Sequence, residues 1–171
     1  TLTAFTYALN DGSVINANLG AGALTSNGAV TLSGASGAET VAVATGTLTL
    51  GAAERLSDTA TVTLTGNLAL GGDETIGTLN GAGGVDLGAH TLTVDAGDYA
   101  GAATGSGGLT KAGSGSLTLS GANTYTGATN LSGGTTTLSG SLASTPVNVA
   151  AGAILENVNG GLSSASVLFN E

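Results

Sequence analysis

The sequence predicts an all-β fold, a parallel β-helix in which one chain winds through roughly eight stacked coils. Three observations carry this reading. Short segments alternate apolar and polar residues along the whole chain, Gly-, Asn- and Ser-rich corners separate them, and the strongest segments recur every 20 to 25 residues.

Composition sets the frame. The 171 residues suit one domain, read as a single β-solenoid segment over 1–171. Only 8% are charged, against roughly 25% in an ordinary soluble domain. With 41% apolar residues and a mean hydropathy of +0.36, the chain is not disordered. Its 31 glycines do not fall at every third position and there is one proline, which excludes collagen. Thr and Val suit strands, while Gly and Asn suit tight corners. Two cations, Arg55 and Lys111, stand against eleven carboxylates, a net charge of −9. Neutralising a phosphate backbone takes several Lys or Arg, so nucleic acid is excluded as a partner and an anionic membrane surface would repel the chain. No stretch approaches the roughly 18 apolar residues needed to span a bilayer. With no cysteine, disulfide scaffolds and thiol chemistry are excluded. The chain opens Thr1-Leu2-Thr3 and is read as a mature or excised piece.

In order along the chain, residues 1–20 differ from the rest and carry Phe5 and Tyr7; they are expected to cap the first coil or dock on a neighbouring subunit. The period-2 strands follow: Val30-Thr31-Leu32, Leu48-Thr49-Leu50, Val62-Thr63-Leu64, Leu68-Ala69-Leu70, Leu92-Thr93-Val94, Leu117-Thr118-Leu119 and Val147-Asn148-Val149. Corners such as Gly71-Gly72-Asp73, Asn80-Gly81 and Gly133-Gly134 separate them. The best helical fragment, Gly51 to Leu56, is too short to stand alone. A hairpin barrel would give turn signals every 8–12 residues. Such spacings occur here as two or three strands within each coil, and the longer period favours the β-helix. From Leu48 to Leu68 is 20 residues, to Leu92 another 24, to Leu117 another 25 and to Leu138 another 21. These five leucines are expected to stack on one inward face of successive coils.

Residues 107–127 read GGLTKAGSGSLTLSGANTYTG. This resembles the autotransporter-associated β-strand repeat of bacterial autotransporter passenger domains and large adhesins. The resemblance rests on Gly108, Leu109, Lys111, Gly113, Gly115, Leu117, Leu119, Gly121, Asn123, Tyr125 and Gly127, and a looser likeness covers 47–140. It implies a right-handed β-helical passenger exported by the type V route. The membrane-inserting barrel that ends an autotransporter is not seen, and the chain stops at Glu171 within another coil.

Candidate sites are weighed against plain surface roles. His90 is the only histidine, with no serine elbow to serve it, and reads as a corner residue. The carboxylate pairs Asp73/Glu74 and Asp95/Asp98 have the chemistry of a glycosidase, but aromatic platforms are scarce. Gly81 to Leu87, with Asp86, partly matches a calcium nonapeptide but stands alone, and a loop with Asp95 and Asp98 is the remaining calcium candidate. Lys111 is read as a solvated corner residue, with a salt bridge to an adjacent coil as the alternative. Tyr125 reads as a wedge at a coil corner. No catalytic, metal or cofactor-binding residue is assigned. The expected function is a non-catalytic structural segment, a stalk or adhesin passenger at the outer surface of a bacterium, acting in adhesion or biofilm. A filament subunit stacking end to end on itself is the alternative, and a polysaccharide-acting β-helix a distant one. Itself and a host or biofilm surface are the expected partners.

Overall fold

The computed structural model describes residues 2, 5–143, 145–159, 161–162 and 167–170; Thr1, Thr3 and Glu171 at the chain ends lie outside them. The chain is an all-β solenoid of parallel strands in about nine turns. Each coil visits three walls in turn. The first wall holds Thr6–Asn10, Ala23–Asn27, Thr40–Thr45 and Thr61–Leu64, then the second halves of Glu74–Gly81 and Thr91–Tyr99, then Ser116–Leu119, Thr135–Leu138 and Ile154–Asn157. The third wall runs from Val14–Ile15 through Val30–Leu32, Thr47–Leu50, Asn67–Leu70 and Val85–Asp86 to Ala103–Thr104, with Ala122–Asn123 and Ser141–Leu142 continuing it as a separate pair. Between them lies the second wall. It begins as single bridges from Leu2 to Leu19 to Ser36 and becomes regular from Glu74 onward, through Gly108–Lys111, Thr129–Leu131 and Val147–Val149 to Val167–Phe169.

The true coil is shorter than the leucine spacing suggests. Thr6 pairs with Ala23 and Ala23 with Thr40, 17 residues on each time, and the longest step, Thr40 to Thr61, is 21. This is why about nine turns fit where roughly eight were expected. The leucine stack also needs correction. Leu48 does pair with Leu68, but Leu68 pairs next with Val85 on the third wall. Leu92 belongs to the second wall and faces Glu74 and Leu109, while Leu117 faces Thr136 on the first. Strong leucines recur on all three walls, so their spacing mixes whole coils with a step from one wall to the next. Gly51 to Leu56 forms no helix.

Alternation puts one apolar residue in two inside. Val41/Val62/Leu79, Val43/Leu64, Leu32/Leu50/Leu70 and Val30/Leu48/Leu68/Val85 form continuous inward stacks, all essentially buried. The corner between the first and third walls is marked by glycine in every coil from Gly28 through Gly46, Gly66, Gly83, Gly101, Gly121 and Gly140 to Gly161. A Cβ at Gly83 would lie 1.8 Å from the Gly66 carbonyl oxygen, and one at Gly121 would lie 1.8 Å from that of Gly101. Backbone stacks on backbone here, and no side chain fits between coils.

Candidate functional site

Polar side chains turned into the solenoid concentrate between Glu74 and Thr145. Lys111 follows the inward parity of Leu109 on Gly108–Lys111 and is 0% exposed. This corrects the solvated-corner reading. A buried ammonium needs its charge and its three donors met. Its Nζ donates to the carbonyls of Ala112, of Gly113 (3.2 Å) and of Gly133 on the next coil (3.3 Å), and lies 3.6 Å from Asp95 Oδ1 on the preceding coil. One cation therefore ties three successive coils. Asp95 Oδ1 also accepts from the Gly115 amide at 3.0 Å, so the carboxylate orients the following corner.

Asn123 sits inward on the third wall, where Ala103 and Leu142 stand below and above. Its Oδ1 accepts from the Ala103 amide at 3.0 Å, and its Nδ2 donates to the Gly121 and Ser141 carbonyls at 3.2 and 3.3 Å. The side chain thus bridges the gap between the six-stranded sheet and the following pair. Tyr125 is the expected wedge: its ring is buried and its hydroxyl lies 2.7 Å from that of Thr129. Burial raises its pKa to about 12. Tyr99 is raised further by the same cause, its hydroxyl donating to the Gly83 carbonyl.

The two members of each carboxylate pair have different surroundings. Asp73 is exposed, accepting from the Thr91 amide at 2.8 Å with His90 Nδ1 4.0 Å away, while Glu74 turns into the core. Asp95 is engaged by Lys111 at one corner, whereas Asp98 lies on the outer surface of the first wall beside Asn80. Asp86 accepts from the Gly88 amide, closing its own turn. Among the described residues, no group of three or more His, Asp or Glu could hold a metal ion. A groove of about 400 Å³ runs along the outside of the third wall past Asn67, Gly84, Asp86 and Thr104, with Asp86 its single ionisable side chain. No described helix is long and apolar enough to cross a membrane.

What stands out is a run of inward polar groups that link coil to coil, centred on the segment whose sequence reads as a repeat. Residues 109–138 match the family model of the passenger-associated-transport repeat. Repeats of this kind belong to autotransporter passenger domains, which implies a secreted, surface-displayed protein. The matched stretch reaches Leu138, beyond the 107–127 read from the sequence, and so spans the Gly133 carbonyl that Lys111 binds. No curated protein and no solved structure matches the chain. Within the repeat, Lys111 and Asn123 each carry a vertical tie, while Tyr125 bonds Thr129 within its own coil. The sequence signal for Lys111 was parity with Leu109, and for Glu74 parity with Ile76.

Proposed function

We propose that this chain is a non-catalytic structural segment of a secreted bacterial surface protein, a stalk or adhesin passenger that serves adhesion or biofilm formation. The observation that carries the reading is a match to the passenger-associated-transport repeat, set in register within a parallel solenoid. A rod of about nine turns at about 4.8 Å each extends roughly 40 Å. Its outward rows of Thr, Asn and Ser are solvated without positive charge. The reading calls for no cofactor, and its partners are a host or biofilm surface. In the test, the wild-type chain and the His90→Ala and Asp73→Asn variants are screened against a panel of polysaccharides, and displaying cells are assayed for attachment. Attachment without cleavage, equal in all three, is expected. Hydrolysis lost in either variant would overturn the reading.

A second reading, end-to-end association of copies, draws on apolar side chains at both ends: Phe5 is 97% and Phe169 67% exposed. Strand edges there can template further parallel pairing. Val167→Pro removes a ladder donor and should abolish concentration-dependent assembly in sedimentation. Assembly unchanged in that variant would sink this version alone.

A further inference from the structure

We propose that the groove on the outside of the third wall is a binding site for a neutral polysaccharide, held between the Asn67 amide and the Asp86 carboxylate. The groove encloses about 400 Å³. Parallel register sets Ala69 beside Asp86 and Leu68 beside Val85, so Asn67 and Gly84 share the neighbouring outward column. These four residues form a square on the wall. The two polar side chains stand at opposite corners, with Ala69 and Gly84 at the others. Strands about 4.8 Å apart, with about 3.3 Å per residue, put the polar corners about 8 Å from each other. Ala102 extends the low floor onto the next coil, where Thr104 stands beside Asp86.

Both polar side chains are fixed through one atom and free at the other. Asn67 Oδ1 accepts from the Gly84 amide at 2.9 Å, and Asp86 Oδ1 accepts from the Gly88 amide at 2.9 Å. Among the described residues, nothing accepts from Asn67 Nδ2 and nothing donates to Asp86 Oδ2. Gly84 belongs to this arrangement. A Cβ there would lie 2.9 Å from Asn67 Oδ1 but 3.8 Å from the Ala102 carbonyl. At the coil corners glycine makes room for backbone; here it makes room for the asparagine. The Thr104 hydroxyl, 3.5 Å from the Val85 carbonyl, makes only a long bond and stays open to a ligand.

Charge and valence select the occupant. A free amide donor across from a free carboxylate acceptor suits sugar hydroxyls, each of which donates and accepts. The chain carries a net charge of −9, and Arg55 and Lys111 are committed to backbone carbonyls elsewhere. Polymers bearing phosphate, sulfate or uronate are therefore repelled. A cationic peptide would gain from Asp86 a single exposed ion pair, which is weak. No aromatic ring lines the groove, so one site binds loosely and strength comes from many displayed copies. The inference rests on the adhesive reading above for its biological setting, and on the groove for its chemistry.

The experiment is NMR titration of the intact chain with cellohexaose, mannohexaose and maltohexaose, and with hyaluronate and oligolysine as charged probes. At least one hexaose should shift the Asn67 side-chain amide and the Gly84 and Thr104 backbone amides, and hyaluronate should not. Asn67→Ala and Asp86→Ala should each weaken that binding about 10-fold. Ala69→Ile raises the floor without removing a polar atom, and should abolish binding at an unchanged melting temperature. Should it not fold, the Asn67 and Asp86 variants decide. No hexaose response at these amides, binding unchanged in the variants, or a response to oligolysine alone would overturn the site. Attachment of displaying cells separates the two readings. A chain that binds no hexaose yet attaches loses the groove and keeps adhesion, whereas one that binds hexaose at these amides without attaching keeps the groove and loses adhesion.

Discussion

Two stretches of the solenoid hold the same ladder by different means. Between Thr40 and Leu70 the inward positions of the strands are Val41, Val43, Leu48, Leu50, Val62, Leu64, Leu68 and Leu70, apolar throughout. Between Gly108 and Leu138 they include Lys111, Asn123, Thr129 and Thr136. The first stretch is stabilised by area removed from water and by close packing, both non-directional. The second gives up apolar volume and gains directed bonds that cross from coil to coil. An apolar stack tolerates a slip in register, because leucine on valine is as good as leucine on leucine. A Lys bound to Gly133 and Asp95, or an Asn bound to Ala103 and Ser141, fixes which residue meets which. The repeat is where alignment of the coils is specified rather than merely permitted.

The glycine corner runs through both stretches, so substitution there should be the most damaging in either. Gly121→Ala places a Cβ 1.8 Å from the Gly101 carbonyl, which forces coils apart. A loss of about 3 kcal/mol or more in urea unfolding is expected. Gly66→Ala, with 2.7 Å to the Gly46 carbonyl, should cost less. Equal and small losses at both would mean that the coils are not in backbone contact.

Methionine separates the two modes directly. Leu48→Met keeps volume and should cost less than about 1.5 kcal/mol. Lys111→Met leaves the Ala112, Gly113 and Gly133 carbonyls without their donor and Asp95 without its cation, and should cost about 3 kcal/mol. A Lys111→Met protein as stable as wild type would place that side chain in solvent after all. Asn123→Ala should follow at about 1–2 kcal/mol, through the loss of its bonds to Ala103 and Ser141.

The smallest effects come from a flaw and from the outer surface. The Thr136 hydroxyl is buried without a hydrogen-bond partner, between Leu117 and Leu155 in the stack. Thr136→Val should therefore raise stability by about 0.5–1 kcal/mol in the same denaturation assay. Thr118→Asn, on the outward side beside Asp98, should stay within about 0.5 kcal/mol of wild type, whereas Leu117→Asp should not fold normally.

Fold class was legible because alternation and corner chemistry are local. Leucine spacing overstates the coil length because leucines serve all three walls. The spacing that carries the register lies in the glycines from Gly28 to Gly161, where close approach admits no other residue and the wall is therefore not in doubt. The polar ties were half legible. Parity put Lys111 with Leu109 and Glu74 with Ile76, yet charge argued for solvent, and only the carbonyls and amides of neighbouring coils make the inward placement affordable. Tyr125 is legible as a wedge because a ring fits a wide corner better than a narrow wall. The partners of each tie come from residues 16 to 22 positions away, a distance at which side-chain contact cannot be read from a single sequence.

The stacking itself is tested most directly by one distance. Thr25 and Thr137 lie on the outer surface of the first wall, linked through Ala42, Thr63, Asn80, Asp98 and Thr118, six coil steps apart. The chain has no cysteine, so Thr25→Cys and Thr137→Cys accept two spin labels cleanly. Pulsed electron paramagnetic resonance should give a single narrow distance near 29 Å, six steps of about 4.8 Å. A distance below about 20 Å, or a broad spread, would contradict a solenoid of parallel coils in this register.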